Sequence, residues 1–349
     1  MRLISNNFFF RILKAPDSLS KLTYNSKKNT LKSLGQEFQI IENIPILLSK
    51  KKIQKKTIAW WSDLYIQLYK KFDSTLTNKN ISKELSLVKD LMKKNKHLLV
   101  NEMLSQDITN RSILEIGSGS GAHSALLKAK GAKVCSVDIS LPRVISTYKK
   151  LSLVNKKSFL CLNCDAENLP IIDKSFDFVY SNGVLHHSKS TTKTIKEVYR
   201  VLKPSGKAVI MLYSRFSAEY LFNIIPRALL FGSFFSKKKE AEWIGEVTEG
   251  KPVFGKTKNP ITRVYSKKQL KILFKDFEII SMRKSSFYFK DFCIPRLTQL
   301  REILLKLFGC KLHDGGKIIY GKAVIPQTKI ELLLSSYLGF AWNIVVRKR

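Results

Sequence analysis

Three glycines and two carboxylates form the pattern in this chain that is best suited to chemistry. Gly117, Gly119 and Gly121 follow a short apolar run that contains Glu115, and a second apolar run ends at Asp138. Because glycine has no Cβ, the backbone at these positions can approach a ligand closely. An acid at the end of a strand can accept hydrogen bonds from both ribose hydroxyls. The pattern therefore predicts strand, turn, helix, strand and acid, a βαβ unit that binds a nucleoside.

The spacing of the glycines separates two classes of nucleoside ligand. Dinucleotide-binding folds use G-x-G-x-x-G and place a pyrophosphate on a helix N-terminus, whereas this chain has G-x-G-x-G at 117–121. The carboxylate of Glu115 would repel a pyrophosphate and suits a cationic ligand. The loop resembles the S-adenosylmethionine loop of class I methyltransferases.

Later segments resemble the later motifs of the same superfamily, in the same order. They run from Asp165 through 175–187 to a strand at 207–213. The segment 182–187, Asn-Gly-Val-Leu-His-His, is similar to the ubiquinone/menaquinone-type (type 11) small-molecule methyltransferases. The resemblance covers about residues 111–213. It implies a Rossmann-like α/β core with a seven-stranded, mostly parallel sheet and helices on both faces, and S-adenosylmethionine as the cofactor.

The resemblance also implies a reaction and a set of contacts. The reaction would be methyl transfer to a small-molecule or lipid-like acceptor, an in-line displacement in which the protein aligns the reacting atoms and excludes water. Asp165 would accept a hydrogen bond from the adenine amino group, with the backbone of Ala166 beside it. The expected cofactor-binding residues are Glu115, Gly117, Gly119, Gly121, Asp138, Ile139, Asp165, Ala166 and Asn182.

Two adjacent histidines are the candidates for a catalytic base. His186 and His187 follow the predicted fourth strand, at the carboxyl edge where open α/β sheets bind their ligands. Imidazole can accept a proton near neutral pH. One of two neighbouring side chains must point away, so a structural or cofactor-lining role is the alternative. Arg263 and Tyr265 are weaker candidates for positioning the acceptor.

The net charge leaves several partners open. The chain has 62 basic and 27 acidic residues, a net charge of +35, and most of the basic residues are lysines spread from end to end. A compositional bias of the genome, attraction to an anionic membrane and nucleic-acid binding would each produce this excess. A nucleic-acid methyltransferase is therefore one alternative, although the fourth strand lacks the Asp/Asn-Pro-Pro-aromatic segment common in base-modifying members. A non-catalytic S-adenosylmethionine-binding protein is another.

Four regions follow from composition. Residues 1–49 are similar to a small zinc ribbon whose cysteines are missing, and residues 50–110 read as a basic linker and a helical region that contains Trp60 and Trp61. Residues 111–325 form the predicted core, including a substrate-cover insertion at 214–275, in which Pro226 and Gly232 should separate two short helices. The closing strands are expected at 277–282 and 318–324, with a helix at 295–308 between them. Residues 326–349 form an apolar and basic C-terminal segment.

The acceptor is expected to be large, partly apolar and presented at a membrane surface. The apolar stretch 220–235 and the C-terminal stretch 332–346, which carries Trp342 and a basic tail, favour contact with an anionic lipid interface. Neither stretch reaches the ~20 apolar residues that span a bilayer. Ordinary core packing of both stretches is the alternative.

The cysteines and the N-terminus predict compartment and metal content. Five cysteines, with no second pair beside Cys161 and Cys164, fit a reducing cytoplasm and predict neither structural nor catalytic zinc. The apolar block Phe8–Phe10 is too short for a signal peptide. A cytoplasmic protein with peripheral attachment to a membrane is the resulting expectation.

Overall fold

The computed structural model describes residues 8–49, 54–155, 158–230, 233–248, 258–292, 294 and 296–349. Gly232, Cys293, part of the basic linker and the insertion residues 249–257 lie outside the described residues, as does Pro295, the first residue of the expected helix at 295–308.

One continuous sheet forms the centre of the molecule. Its strands are β1 (Thr23–Asn25), β2 (Thr30–Ser33), β3 (Gln36–Ile41), β4 (Ile44–Leu47), β5 (Ser112–Ile116), β6 (Lys133–Asp138), β7 (Phe159–Cys164), β8 (Phe176–Asn182), β9 (Leu202–Ser214), β10 (Val264–Tyr265), β11 (Phe277–Ser285) and β12 (Ala341–Lys348). The order is β1-β2-β3-β4-β7-β6-β5-β8-β9-β12-β11, with β10 paired to β9. From β7 to β9 the strands are parallel, and β12 is antiparallel to both of its neighbours. The seven strands from β7 to β11 confirm the predicted class I core.

Helices cover both faces of this sheet. They are α1 (Lys55–Leu68), α2 (Lys70–Asp73), α3 (Ile81–Lys94), α4 (Ala122–Ala129), α5 (Leu141–Leu153), α6 (Thr191–Val201), α7 (Ile225–Leu230), α8 (Glu240–Thr248), α9 (Lys267–Leu273), α10 (Leu297–Leu307), α11 (Gly316–Tyr320) and α12 (Lys329–Leu338). Strand β5 is buried along its whole length, as parallel strands covered on both faces must be. Ile113 packs into the core on one face and Leu114 into the core on the other.

The strand order reverses between β5 and β8. The chain runs outward from β5 through β6 to β7 and then returns to pair β8 with the other edge of β5. In open α/β sheets such a reversal opens a crevice at the carboxyl ends of the strands, where ligands bind.

The N-terminal strands extend the sheet rather than forming a separate unit. Strand β4 pairs in parallel with β7, and Phe9 stacks on Phe176 with ring centroids 5.9 Å apart. Ala15 is buried, so hydrophobic contacts hold this element against the core. Among the described residues no group of three or more His, Cys, Asp or Glu could hold a metal ion.

The C-terminal part of the chain differs from the expectation. Residues 316–320 form helix α11, followed by Gly321 at a φ of 74°, and are not a strand. The last strand is β12, which is almost entirely buried between β9 and β11. The sheet therefore continues past the expected boundary at residue 325. Trp342 packs in the core, so the prediction that 332–346 as a whole contacts lipid is wrong for the strand.

The helices of the insertion after β9 also differ from those predicted from the sequence. A π-helical turn at Tyr220–Ile224 leads directly into α7, and Pro226 lies in the first turn of α7, where its missing N–H costs nothing. A single bent segment therefore replaces the helix break expected at Pro226.

Candidate active site

A narrow cavity of about 80 Å³ lies at the strand reversal. The ends of β5 to β8 and the loops after them form its floor. Its lining includes Ile116, Gly117, Asp138, Ile139, Asp165, Ala166, Gly183, Val184, Leu185 and His187, with Gln54, Thr57 and Trp61 from the start of α1 across the opening. We call this space the cofactor cavity.

The glycine loop is held close to its neighbours. A Cβ on Gly117 would lie 2.2 Å from a methyl carbon of Val184, and a Cβ on Gly121 would lie 2.6 Å from the Cα of Thr147. Both glycines have positive φ angles, at 77° and 82°. Gly119 meets only the Arg143 guanidinium, at 3.5 Å. Of the three, Gly117 lines the cavity, and the other two shape the loop that supports it.

Asp138 is fixed at the end of β6 by two backbone donors. Its Oδ2 accepts a hydrogen bond from the Gly119 N–H at 3.1 Å, and its Oδ1 accepts one from the Ser140 N–H at 2.9 Å. Burial raises the pKa of this carboxyl, while Arg143 and the backbone donors oppose the shift. The carboxylate borders the cavity and each oxygen keeps a second lone pair, so it can still accept from ribose hydroxyls.

Asp165 accepts a hydrogen bond from Gln54, a residue that was not predicted from the sequence. The side-chain amide of Gln54 donates to Oδ2 of Asp165 at 2.8 Å, and the Glu167 N–H donates to Oδ1 at 2.9 Å. An amide NH₂ is the same kind of donor as the exocyclic amino group of adenine. Gln54 therefore occupies the position in which the resemblance places the adenine amine.

Helix α1 closes this side of the cavity. Arg143 donates from Nε to the Trp61 carbonyl at 2.9 Å and lies over the indole ring, 5.0 Å from its centroid. Trp60 is buried in the core, so only Trp61 faces the site. Gln54, Thr57 and Arg143 carried no signal in the sequence, since each is a common polar residue without a motif.

Glu115 does not face the cofactor cavity. It is buried, accepts a hydrogen bond from Ser124 on α4 and lies 3.9 Å from Nδ1 of His123. Burial raises its pKa to about 8, against the hydrogen bond from Ser124. Side chains alternate along a strand, so Glu115 shares the face of Ile113 rather than that of Ile116. The expected contact of Glu115 with a cationic ligand is therefore not part of this geometry. Asn182, another expected cofactor-binding residue, also lies outside the lining of the cofactor cavity, next to Gly183.

The two histidines have different surroundings. His187 lines the cavity, and its Nδ1 lies 3.1 Å from the carbonyl oxygen of Ile261. The same Nδ1 lies 3.1 Å from Oγ1 of Thr262 and 3.2 Å from the side-chain amide nitrogen of Asn259, so three neighbours orient the ring through this nitrogen. His186 is fully buried beside Tyr213, 3.8 Å between ring centroids, with no hydrogen-bond partner for either nitrogen among the described residues. Burial holds the pKa of His186 well below its usual value.

The weaker candidates support the loop that carries the histidines. Arg263 donates to the carbonyls of Ser188 and Lys189, and its own backbone N–H donates to the carbonyl of His186. Tyr265 pairs with the end of β9. Neither residue is part of the cavity lining.

Comparisons with known proteins agree with this geometry. Residues 114–210 match the family described as "Methyltransferase domain". The chain is 34% identical over 181 residues to the ubiquinone/menaquinone biosynthesis C-methyltransferase UbiE of Rickettsia typhi, covering 46% of this chain and 71% of that protein. It is 32% identical over 109 residues to the biotin biosynthesis bifunctional protein BioHC of Cellvibrio japonicus, covering 31% of this chain and 21% of that protein.

Two solved methyltransferase structures resemble this chain. An S-adenosylmethionine-dependent methyltransferase from Methanosarcina mazei superposes with a TM-score of 0.46 at 20% identity, covering 68% of this chain and 92% of that one. One from Mesorhizobium loti gives a TM-score of 0.44 at 14% identity, covering 70% and 94%. The fold assignment rests on the strand order described above.

Proposed function

We propose, on the premise that this chain belongs to the class I S-adenosylmethionine-dependent methyltransferases of the type 11 family, that its acceptor is lipid-like and is methylated at a membrane surface. The protein is an enzyme that uses S-adenosylmethionine to methylate a small-molecule acceptor. One cavity bordered by the glycine loop and by both strand-end acids, Asp138 and Asp165, supports the cofactor and the reaction. The observation that carries the lipid-like acceptor is the outward apolar side chains of α10 and α12.

The residues of the cofactor cavity suit S-adenosylmethionine. Asp138 offers its remaining lone pairs to the ribose, and Asp165 already accepts from an amide NH₂ where an adenine amine would donate. Ile116, Ile139 and Leu185 supply an apolar lining for the base. The cofactor would supply an activated methyl group. Because Gln54 and Trp61 line the same cavity, α1 would cover the bound cofactor and exclude water.

We assign the base role to His187. It lines the cofactor cavity, and its Nδ1 is oriented by Ile261, Thr262 and Asn259. Trp61 packs against its ring with centroids 4.9 Å apart. His186 supports it from behind and does not line the cavity. His187 is therefore the catalytic candidate, and His186 is a positioning residue.

Two helices support a lipid-like acceptor because they turn apolar side chains outward. On α10, Leu300, Ile303, Leu304 and Leu307 are exposed, with Leu307 at 77%, while Arg301 is buried. On α12, Ile330, Leu333 and Tyr337 are exposed while Glu331 is fully buried. Arg301 donates to both carboxylate oxygens of Glu331, at 2.7 Å each, so the ion pair faces inward. A helix of a water-soluble surface has the opposite arrangement.

Charge favours an anionic membrane as the partner of this surface, which we call the outer apolar face. Exposed cations flank it, at Arg296, Lys306, Lys311 and Lys329. Each basic residue near an anionic lipid surface adds about 1 kcal/mol of attraction. None of the described helices has the length and hydropathy to cross a bilayer. The proposal is therefore attachment at the surface, with apolar side chains in the headgroup region.

The function is tested by following a labelled methyl group. Purified protein is incubated with S-adenosylmethionine labelled in the methyl and with the lipid and aqueous fractions of a cell extract. We expect label in the lipid fraction, and His187→Ala should lower it about 10²-fold or more while cofactor binding persists. Label only in water-soluble products would refute the lipid-like acceptor.

Membrane attachment is tested with vesicles at ~0.15 M salt. The protein should sediment with vesicles that contain phosphatidylglycerol and not with pure phosphatidylcholine. Leu304→Glu with Leu307→Glu should abolish sedimentation, because about 1.5–3 kcal/mol of burial is lost for each leucine. Ile272→Glu, an exposed apolar residue on α9, is the matched control. Equal binding of the double variant would refute the assignment of this face.

A further inference from the structure

We propose that a second cavity, at the carboxyl end of β9, binds the polar head of the acceptor, and that this head is a polyhydroxylated, sugar-like ring. The inference rests on the proposed function. The cavity has a volume of about 520 Å³. Its lining comes from the insertion after β9, which includes Glu219 and Arg227, and from the segment between β11 and β12, which includes Asp291 and Lys322. We call it the head cavity.

The head cavity approaches the cofactor cavity through Tyr213. Tyr213 lines the head cavity, and its ring centroid lies 5.7 Å from that of His187, which lines the cofactor cavity. A molecule in the head cavity therefore lies beside the transfer site.

The lining carries groups that only accept hydrogen bonds and groups that only donate them. Glu219 accepts from Asn223 at 2.9 Å and, with Glu302, supplies carboxylate oxygens. Arg227, Lys290 and Lys322 supply cationic donors. The insertion and the later segment each supply both signs of charge, so a head group with a single charge would meet like charges on both sides. A hydroxyl both donates and accepts, so neighbouring hydroxyls on a ring can bridge the two kinds of side chain.

A buried acid and an aromatic wall fit the same ligand. Asp291 is 6% exposed and accepts from the backbone N–H of Tyr288 at 2.8 Å. Burial raises its pKa to about 8, and the neighbouring Glu219 adds to the shift, so near pH 7 the acid is a donor as well as an acceptor. Tyr213 and Phe340 stack with centroids 4.0 Å apart and give the cavity an aromatic wall. His186 stacks on Tyr213 as well, so this wall is a packed aromatic cluster that contributes apolar contact rather than a free ring face.

The outside of the same walls suits an alkyl chain. Arg301 and Glu302 of α10 line the head cavity, while the neighbours Leu300 and Ile303 are exposed on the outer apolar face. Exposed Phe222 stacks on Phe292 with ring centroids 5.4 Å apart, on the insertion that supplies the opposite wall. An amphiphile with its head inside therefore has apolar surface for its chain at the rim.

The test measures binding of n-hexyl β-D-glucoside below its micelle concentration, by calorimetry with saturating S-adenosylhomocysteine. The matched probes are hexyl phosphate, hexyltrimethylammonium and 4-hexylphenol. We expect the glucoside to bind at least ~10-fold more tightly than any of the three. Glu219→Gln and, separately, Lys322→Met should each weaken it ~10-fold or more, since each loses a charge-assisted hydrogen bond. Glu42→Gln, in the exposed turn between β3 and β4, is the control.

Cofactor affinity is measured first for every variant. Lys322 is exposed, so its variant should fold even if Glu219→Gln does not. Absence of cofactor binding by the unmodified protein would refute the proposed function itself. Normal cofactor binding with no glucoside binding, tighter binding of a charged probe or of the phenol, or equal binding by both variants would each overturn the assignment of the head cavity.

Discussion

Replacing Glu115 by Gln should change how the stability of the protein depends on pH. The acid is 1% exposed, and burial raises its pKa from 4.5 to about 8. Between these values the folded state keeps a proton that the unfolded state has released. The contribution of Glu115 to stability is therefore complete below pH 4.5 and is lost as pH rises towards 8. The loss is about 1.4 kcal/mol for each pH unit, or about 4 kcal/mol between pH 5 and pH 8 as an upper figure.

The measurement is the free energy of unfolding in urea, taken every half pH unit from 5 to 8.5. Glutamine cannot titrate and can still accept from Ser124, so the variant should gain stability relative to the unmodified protein by a few kcal/mol across this range. All other groups titrate in both proteins and cancel in the difference. Glu42→Gln, at an exposed position, should show no such trend. Parallel curves for the unmodified protein and Glu115→Gln, within about 0.5 kcal/mol, would refute the buried protonated acid.

Three further outcomes are expected. Asp138→Ala should weaken S-adenosylmethionine binding by roughly 10²–10⁴-fold, because two charge-assisted hydrogen bonds of about 1.5–3 kcal/mol each are lost; unchanged affinity by calorimetry would contradict the ribose assignment. His187→Ala should lower kcat more than His186→Ala does, with KM for the cofactor nearly constant in both; equal losses would make the pair a structural unit. Gln54→Ala should tighten cofactor binding, because the adenine amine no longer competes with the amide for Asp165; weaker binding in stopped-flow titration would show that Gln54 contacts the cofactor instead.

Local patterns made the nucleotide-binding half of the site predictable. The strand, glycine loop, helix and strand at 112–138 depend on contacts between near neighbours in the chain, so the sequence specifies them directly. Asp138 and Asp165 end neighbouring parallel strands, which explains why both lie at one edge of the sheet and border one cavity. The adjacent histidines were found for the same reason. The sequence did not predict which of the two histidines faces the cavity, because that depends on the loop at Ile261.

Contacts between distant parts of the chain decided the rest. The position of β12 depends on pairing with β9, more than 100 positions away, and with β11, more than 50 positions away, and local hydrophobicity could not distinguish this strand from a lipid-contacting segment. The strand pattern placed Glu115 near the loop, but only the fold shows that its side of the sheet is covered by α4 and that burial raises the pKa of its carboxyl. The Gln54–Asp165 contact joins residues 111 positions apart.

The outward apolar faces of α10 and α12 show most clearly that contacts between distant residues cannot be predicted from local sequence. The sequence predicted a helix at 295–308 and an apolar stretch at 332–346, without predicting which side of either helix faces outward. The Arg301–Glu331 pair lies inside, where its bidentate geometry and further hydrogen bonds offset the cost of burying charge. The sequence by itself determined the cofactor-binding unit, because its contacts are local. The tertiary structure alone decided which faces of the later helices look outward, because that follows from which distant groups satisfy one another in the interior.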